Sequence, residues 1–119
     1  MEQTLYDRLG RSEGISRIVT DLIALHRTNP LIKTRFEKID VDQLHKHVHD
    51  FFCAGSGGGQ SYGGRDMRTT HHGMNISEQE FLAAVDDVLA AMARNNAGQR
   101  ECDEVLAILY SMKGEVIRV

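Results

Sequence analysis

Three observations place this chain in the all-α class. In each long stretch the apolar residues recur at spacings of three, four and seven, the rhythm of one helical face. Threonine, serine or aspartate stands where those stretches begin, ready to accept the backbone N–H groups left over in a first helical turn. No stretch alternates apolar and polar residues at the period of a half-buried strand. With 119 residues the chain can bury one hydrophobic core, and a single domain over 1–119 is expected.

Thr4 caps a short first helix over residues 5–9, with Asp7 three residues on and Gly10 as its stop. Ser12 opens the second helix, where Ile15, Ile18, Val19, Leu22, Ile23 and Leu25 make the apolar face. Asn29-Pro30 ends it, because a residue before proline is pushed out of helical geometry. A turn carries Leu31, Ile32 and Phe36 to Asp40, which with Gln43 forms a variant capping box. The helix from 41 to about 54 has Val41, Leu44, Val48, Phe51 and Phe52 as its stripe. At about 100° per residue, His45 and His47 flank that stripe on opposite sides and His49 points further out.

Residues 55–64 are rich in glycine and read as a loop, a candidate hinge beside the third helix. They lack the Gly-Lys-Ser/Thr ending of a phosphate-cradling loop, and no strand precedes them. Residues 63–76 then read as a short helix that puts Met67, Thr70, His71 and Met74 on one face. Ser77-Glu78-Gln79-Glu80 is a full capping box. It leads a helix with Phe81, Leu82, Val85, Val88, Leu89 and Met92 in register, closed by Asn95-Asn96-Ala97-Gly98. A last helix, 99 to about 116, carries Cys102, Val105, Leu106, Leu109, Met112 and Val116.

Charge and cysteine content narrow the function. Fourteen Lys and Arg against seventeen Asp and Glu, with no basic run, exclude a nucleic-acid or anionic-membrane surface. No apolar segment approaches the roughly 20 residues of a membrane span. Cys53 and Cys102 fall in helices without a Cys-x-x-Cys pair, so free thiols in a reducing compartment are expected. The first residues show no secretory signal, and a cytoplasmic protein is the expectation.

Six histidines leave three chemistries open. His71 among Met67, Thr70 and Met74 suits an iron, since one imidazole nitrogen can bond a metal while soft side chains exclude water. His45 and His49, four apart, could share a zinc or copper ion, but no third ligand stands at a matching offset; solvated surface histidines account better for that pair. His71 or His72 as an acid–base group would need a carboxylate partner, and Asp66 is not one helical turn away.

The iron reading is strengthened by a resemblance. Thr4-Leu5-Tyr6-Asp7-Arg8-Leu9-Gly10, Pro30 followed six residues later by Phe36, Tyr62-x-Gly64-Arg65-Asp66-Met67-Arg68-x-x-His71 and Gly73-x-x-Ile76-x-x-x-x-Phe81 together closely resemble the group I truncated haemoglobins. The match spans nearly the whole chain. It implies a truncated globin fold in which two antiparallel helix pairs sandwich a haem, with His71 as proximal iron ligand and Phe36 packed on the porphyrin. Leu44, Val48, Phe51, Met67, Ile76, Phe81 and Val85 match pocket-lining positions. Tyr62 and Arg68 match partners of the propionates, a role that suits guanidinium. Some relatives attach haem through a late histidine; this chain has none after His72, so non-covalent haem b is expected.

The chain departs from the family on the distal side. Ile23 stands where a tyrosine usually donates a hydrogen bond to the diatomic ligand, and Leu44 and Val48 occupy positions often held by polar donors. His47 matches the position that binds iron opposite the proximal histidine in six-coordinate relatives. Three activities follow: reversible O2, CO or NO binding of the oxygen-transport type; bis-histidyl electron transfer or redox sensing; and a nitric oxide dioxygenase or peroxidase-like enzyme served by a reductase. The expected assembly is a monomer or weak dimer.

Overall fold

The computed structural model describes residues 3–58 and 67–118, with residues 68 and 69 described for their backbone alone. Six α-helices follow in order: α1 (Leu5–Arg8), α2 (Arg11–Thr28), α3 (Val41–Gly55), α4 (Met67–His71), α5 (Glu78–Arg94) and α6 (Gln99–Ser111). Two 3-10 turns, Lys33–Phe36 and Lys113–Glu115, complete the order. Among the described residues there is no strand; one isolated parallel bridge joins Ile76 to Ile117.

The caps form where the sequence places them. Thr4 Oγ1 accepts from the Asp7 amide at 3.1 Å and the Asp7 carboxylate accepts from the Thr4 amide at 3.4 Å. Ser77 and Glu80 make the same reciprocal pair at 3.1 and 3.3 Å. Asp40 caps α3 by accepting from the Gln43 amide at 3.1 Å. Helix α2 begins at Arg11, ahead of Ser12, after Gly10 turns the chain at φ +93°. Gly14 makes that corner close: a Cβ on it would lie 2.2 Å from the Leu9 carbonyl oxygen.

Two expected elements end before their apolar rhythm does. Helix α6 stops at Ser111 rather than near Val116. Gly114 favours a break, and a 3-10 turn swings Val116 into the core and Ile117 beside Ile76, where the Arg118 amide donates to the Ile76 carbonyl at 3.1 Å. Helix α4 ends at His71, so Met74 lies in the turn beyond it, and Thr70 is exposed rather than inward.

Helix α2 packs on α3 and across α5, and α5 packs on α6. Arg8 ties α1 to α6 through Glu104 at 3.0 Å and Glu101 at 3.5 Å. The main core centres on Ile15, Val19 and Met92, with Cys53 fully buried beside them. Both cysteines are free thiols. A second, smaller core gathers Ile76, Phe81, Val85 and Val116 under Met67 and Met74.

Candidate functional site

His71 ends α4 and is half-buried, one helical turn after Met67, which packs on the smaller core. Its Nδ1 lies 2.7 Å from the Met67 carbonyl oxygen, one helical turn back. A carbonyl can only accept, so Nδ1 carries a proton, and in the uncharged ring the lone pair is on Nε2. Among the described residues Nε2 has no hydrogen-bond partner. An imidazole with one nitrogen anchored to a carbonyl and the other open is the arrangement of a metal ligand held in a fixed tautomer. The acid–base reading loses its support here, because the orienting partner is a carbonyl and not a carboxylate. His72 is exposed, and Asp66 lies outside the described residues.

Met67 and Met74 pack on Phe81 and Val85 of α5, and on Ile76 with Val116 from the C-terminal segment. Leu44 and Val48 of α3 pack on the main core, which holds Ile23 of α2 at 4% exposure. Phe51 meets Phe52 edge-on at 6.0 Å and lines a small apolar cavity with Leu5, Leu9, Val105 and Leu109. Tyr62 and the side chain of Arg68 lie outside the described residues, as does most of the glycine-rich loop.

The α3 histidines separate into two kinds. His45 and His49 are not the solvated pair of the sequence reading: both are half-buried against α2, their rings stacked at 6.0 Å. His45 Nε2 donates to the Ser16 carbonyl at 3.3 Å, and His49 Nε2 to the Ser12 carbonyl at 3.0 Å. Serines on the facing turns of α2 leave room for rings there. With both Nε2 protons committed to α2, the zinc or copper reading fails, and no metal-binding cluster of three ligands occurs among the described residues. His47, half-buried on the other flank, makes no hydrogen bond or ion pair among the described residues.

A polar network escaped the sequence reading. Asp87 of α5 is 9% exposed and accepts from His26 Nδ1 at 2.7 Å and from Asn29 Nδ2 at 3.1 Å. Burial lowers the His26 pKa below its ordinary value, against the opposing pull of Asp87, so the ring is neutral at neutral pH. That ring stacks on Phe36 with centroids 5.3 Å apart. The signal was present: His26 continues the α2 apolar stripe at Ile15, Val19 and Leu22, and Asp87 sits between Ala83 and Ala91 on a buried stripe of α5. Arg35, beside Phe36, grips the Glu80 carboxylate and donates to the Met74 carbonyl at 3.1 Å. Arg35 holds the Glu80 carboxyl below the usual carboxylate range.

These residues fit a haem. The donor is a histidine whose Nδ1 is anchored on a carbonyl, Met67 of the same helix packs with Met74 on an apolar cluster that includes Phe81, and α3 supplies Leu44 and Val48. Comparison with known proteins leads to the same place. The family model described as bacterial-like globin matches residues 4–118. A group 1 truncated hemoglobin of Nostoc sp. (strain MUN 8820) is 29% identical over 114 residues, covering 96% of this chain and 97% of that protein. One from Tetrahymena pyriformis is 28% identical over 115 residues, covering 97% and 95%. The crystal structure of truncated hemoglobin from Tetrahymena pyriformis, Fe(III) form, superposes with a TM-score of 0.94 at 22% identity, over 98% of this chain and 100% of that one. The 2/2 hemoglobin from Synechococcus sp. PCC 7002, in the cyanomet state with covalently attached heme, gives a TM-score of 0.90 at 21% identity, over 97% and 98%. At those identities the structural likeness speaks for the fold, two antiparallel helix pairs; the family model speaks for descent. The chain belongs to the bacterial-like globins, and within them to the group I truncated haemoglobins.

Proposed function

We propose that this haem-binding globin holds haem b non-covalently, with His71 as proximal ligand, and binds O2, CO and NO reversibly. When bound, the haem supplies an iron that takes a diatomic ligand on the face opposite His71. The observation that carries the reading is the 2.7 Å contact from His71 Nδ1 to the Met67 carbonyl, which leaves Nε2 as the donor. The absence of any histidine beyond His72 supports non-covalent attachment. Apolar Ile23, Leu44 and Val48 offer the ligand no hydrogen-bond donor, which favours simple binding or electron transfer over nitric oxide dioxygenation. The two free thiols suit a reducing compartment, the cytoplasm.

The test is spectroscopic. Hemin added to the apoprotein should produce a sharp Soret band that CO shifts after reduction. The His71→Gly variant should lose that signature and regain it with free imidazole. An unchanged spectrum in His71→Gly would reject His71 as the ligand.

A second reading concerns the sixth position. His45 and His49 are committed to α2, whereas His47 is half-buried with no polar partner among the described residues. This supports His47 as the distal ligand of a bis-histidyl resting state, suited to electron transfer or redox sensing. Replacing His47 by leucine should turn a low-spin spectrum five-coordinate; a wild-type protein already five-coordinate would end this reading.

A further inference from the structure

We infer that Arg35 is a positioning residue that locks the turn after His71 to the segment carrying Phe36, so that one side chain sets the spacing of the two residues that the haem reading places against the porphyrin. The inference rests on the haem reading above.

The turn from α4 to α5 holds itself weakly. It contains Gly73 at φ +80° and Asn75 at φ +50°, and its internal tie is the Met74 amide donating to the His71 carbonyl at 3.1 Å. Two outside grips fix it. On one side the C-terminal segment holds Ile76 through the Ile117 bridge and the Arg118 amide. On the other side Arg35 Nη2 donates to the Met74 carbonyl at 3.1 Å. The same guanidinium is fixed on Glu80, Nη2 to Oε1 at 3.2 Å with Nε on the other oxygen. Glu80 is itself immobilised by its capping bonds with Ser77 at the start of α5.

The other end of this lock is Phe36, the next residue along. Its ring stacks on His26, which Asp87 holds to the same helix α5 two turns further on. Both the Phe36 segment and the His71 turn are therefore referenced to α5, and Arg35 touches all three. A planar guanidinium can serve a carboxylate and a carbonyl at once with defined angles. A lysine ammonium can neutralise Glu80 but lacks that fork.

Arg35→Met, Arg35→Lys and the unsubstituted protein should be compared after haem loading, all in a His47→Leu background that keeps the ferrous iron five-coordinate, by transfer of haem to excess apomyoglobin and by the iron–histidine stretching band of the ferrous protein. Arg35→Met should lose haem about tenfold faster, the factor one lost charge-assisted hydrogen bond corresponds to, with a shifted or broadened band. Arg35→Lys should recover thermal stability but not the wild-type band, which separates positioning from simple support. Should Arg35→Met fail to fold, Glu80→Gln keeps the cap and weakens the grip, and must move the band the same way. Haem loss within twofold of wild type and an unmoved band would overturn the inference alone. A wild type that takes up no haem would overturn the haem reading with it.

Discussion

Replacing Asp87 by alanine tests whether the buried network holds the molecule together. The carboxylate accepts from His26 Nδ1 at 2.7 Å and Asn29 Nδ2 at 3.1 Å, and both donors belong to the end of α2. A buried donor left without its acceptor costs about 1–3 kcal/mol. Removing a buried charge returns part of that sum, so the net loss should be about 2–4 kcal/mol. For a chain of this size the melting temperature should fall by roughly 4 °C for each kcal/mol. The double variant His26→Leu/Asp87→Ala removes donor and acceptor together and should be less destabilised than the two singles added. Urea and thermal unfolding followed by circular dichroism would measure all four proteins. A loss below about 0.5 kcal/mol in Asp87→Ala, or strict additivity in the double variant, would refute the reasoning.

Stability should also depend on pH in two windows. His26 has its folded pKa lowered from 6.5, so the unfolded chain binds more protons; its contribution is full above pH 6.5 and is lost as pH falls through the folded value. Glu80 has its folded pKa lowered from 4.5 by Arg35, so its contribution is present above pH 4.5 and fades further into acid. His26→Leu should erase the first slope and leave the second, read by unfolding at a series of pH values. Gly14→Ala should destabilise by about 1–3 kcal/mol, because its Cβ would sit 2.2 Å from the Leu9 backbone oxygen and the α1–α2 corner must open. A wild-type melting temperature in that variant would contradict the tight corner. Ile23→Tyr should slow O2 release about tenfold by supplying a hydrogen-bond donor, measured by laser photolysis or stopped flow. Unchanged release would mean that residue 23 does not face the ligand.

Much of this was legible locally. Thr4 with Asp7, Asp40, Ser77 with Glu80, and Asn29-Pro30 each act within one helical turn, so their roles follow from neighbours in the chain. His71 was legible from its motif, yet the carbonyl that orients it emerged only with the side-chain geometry one turn back at Met67. Helix α6 misled because its apolar rhythm continues through Met112 and Val116, while the bridge that ends it reaches back to Ile76. His45, His49, His26 and Asp87 were misplaced or overlooked for one reason. Each is paid for by a partner at least 25 residues away, and no local rhythm encodes which faces meet.

The ladder of His45 and His49 against Ser16 and Ser12 has a mechanical consequence. The two bonds stand one turn apart on the same edge of α3, like two pins on a door frame. Together with the buried Cys53 and the packing of Leu44 and Val48 on the main core, such a fastening resists sliding and tilting more than a roll about the fastened edge. His47 lies about 160° around the helix from His45. A small roll would therefore carry its ring through the widest arc of any residue on α3, with the pins intact throughout.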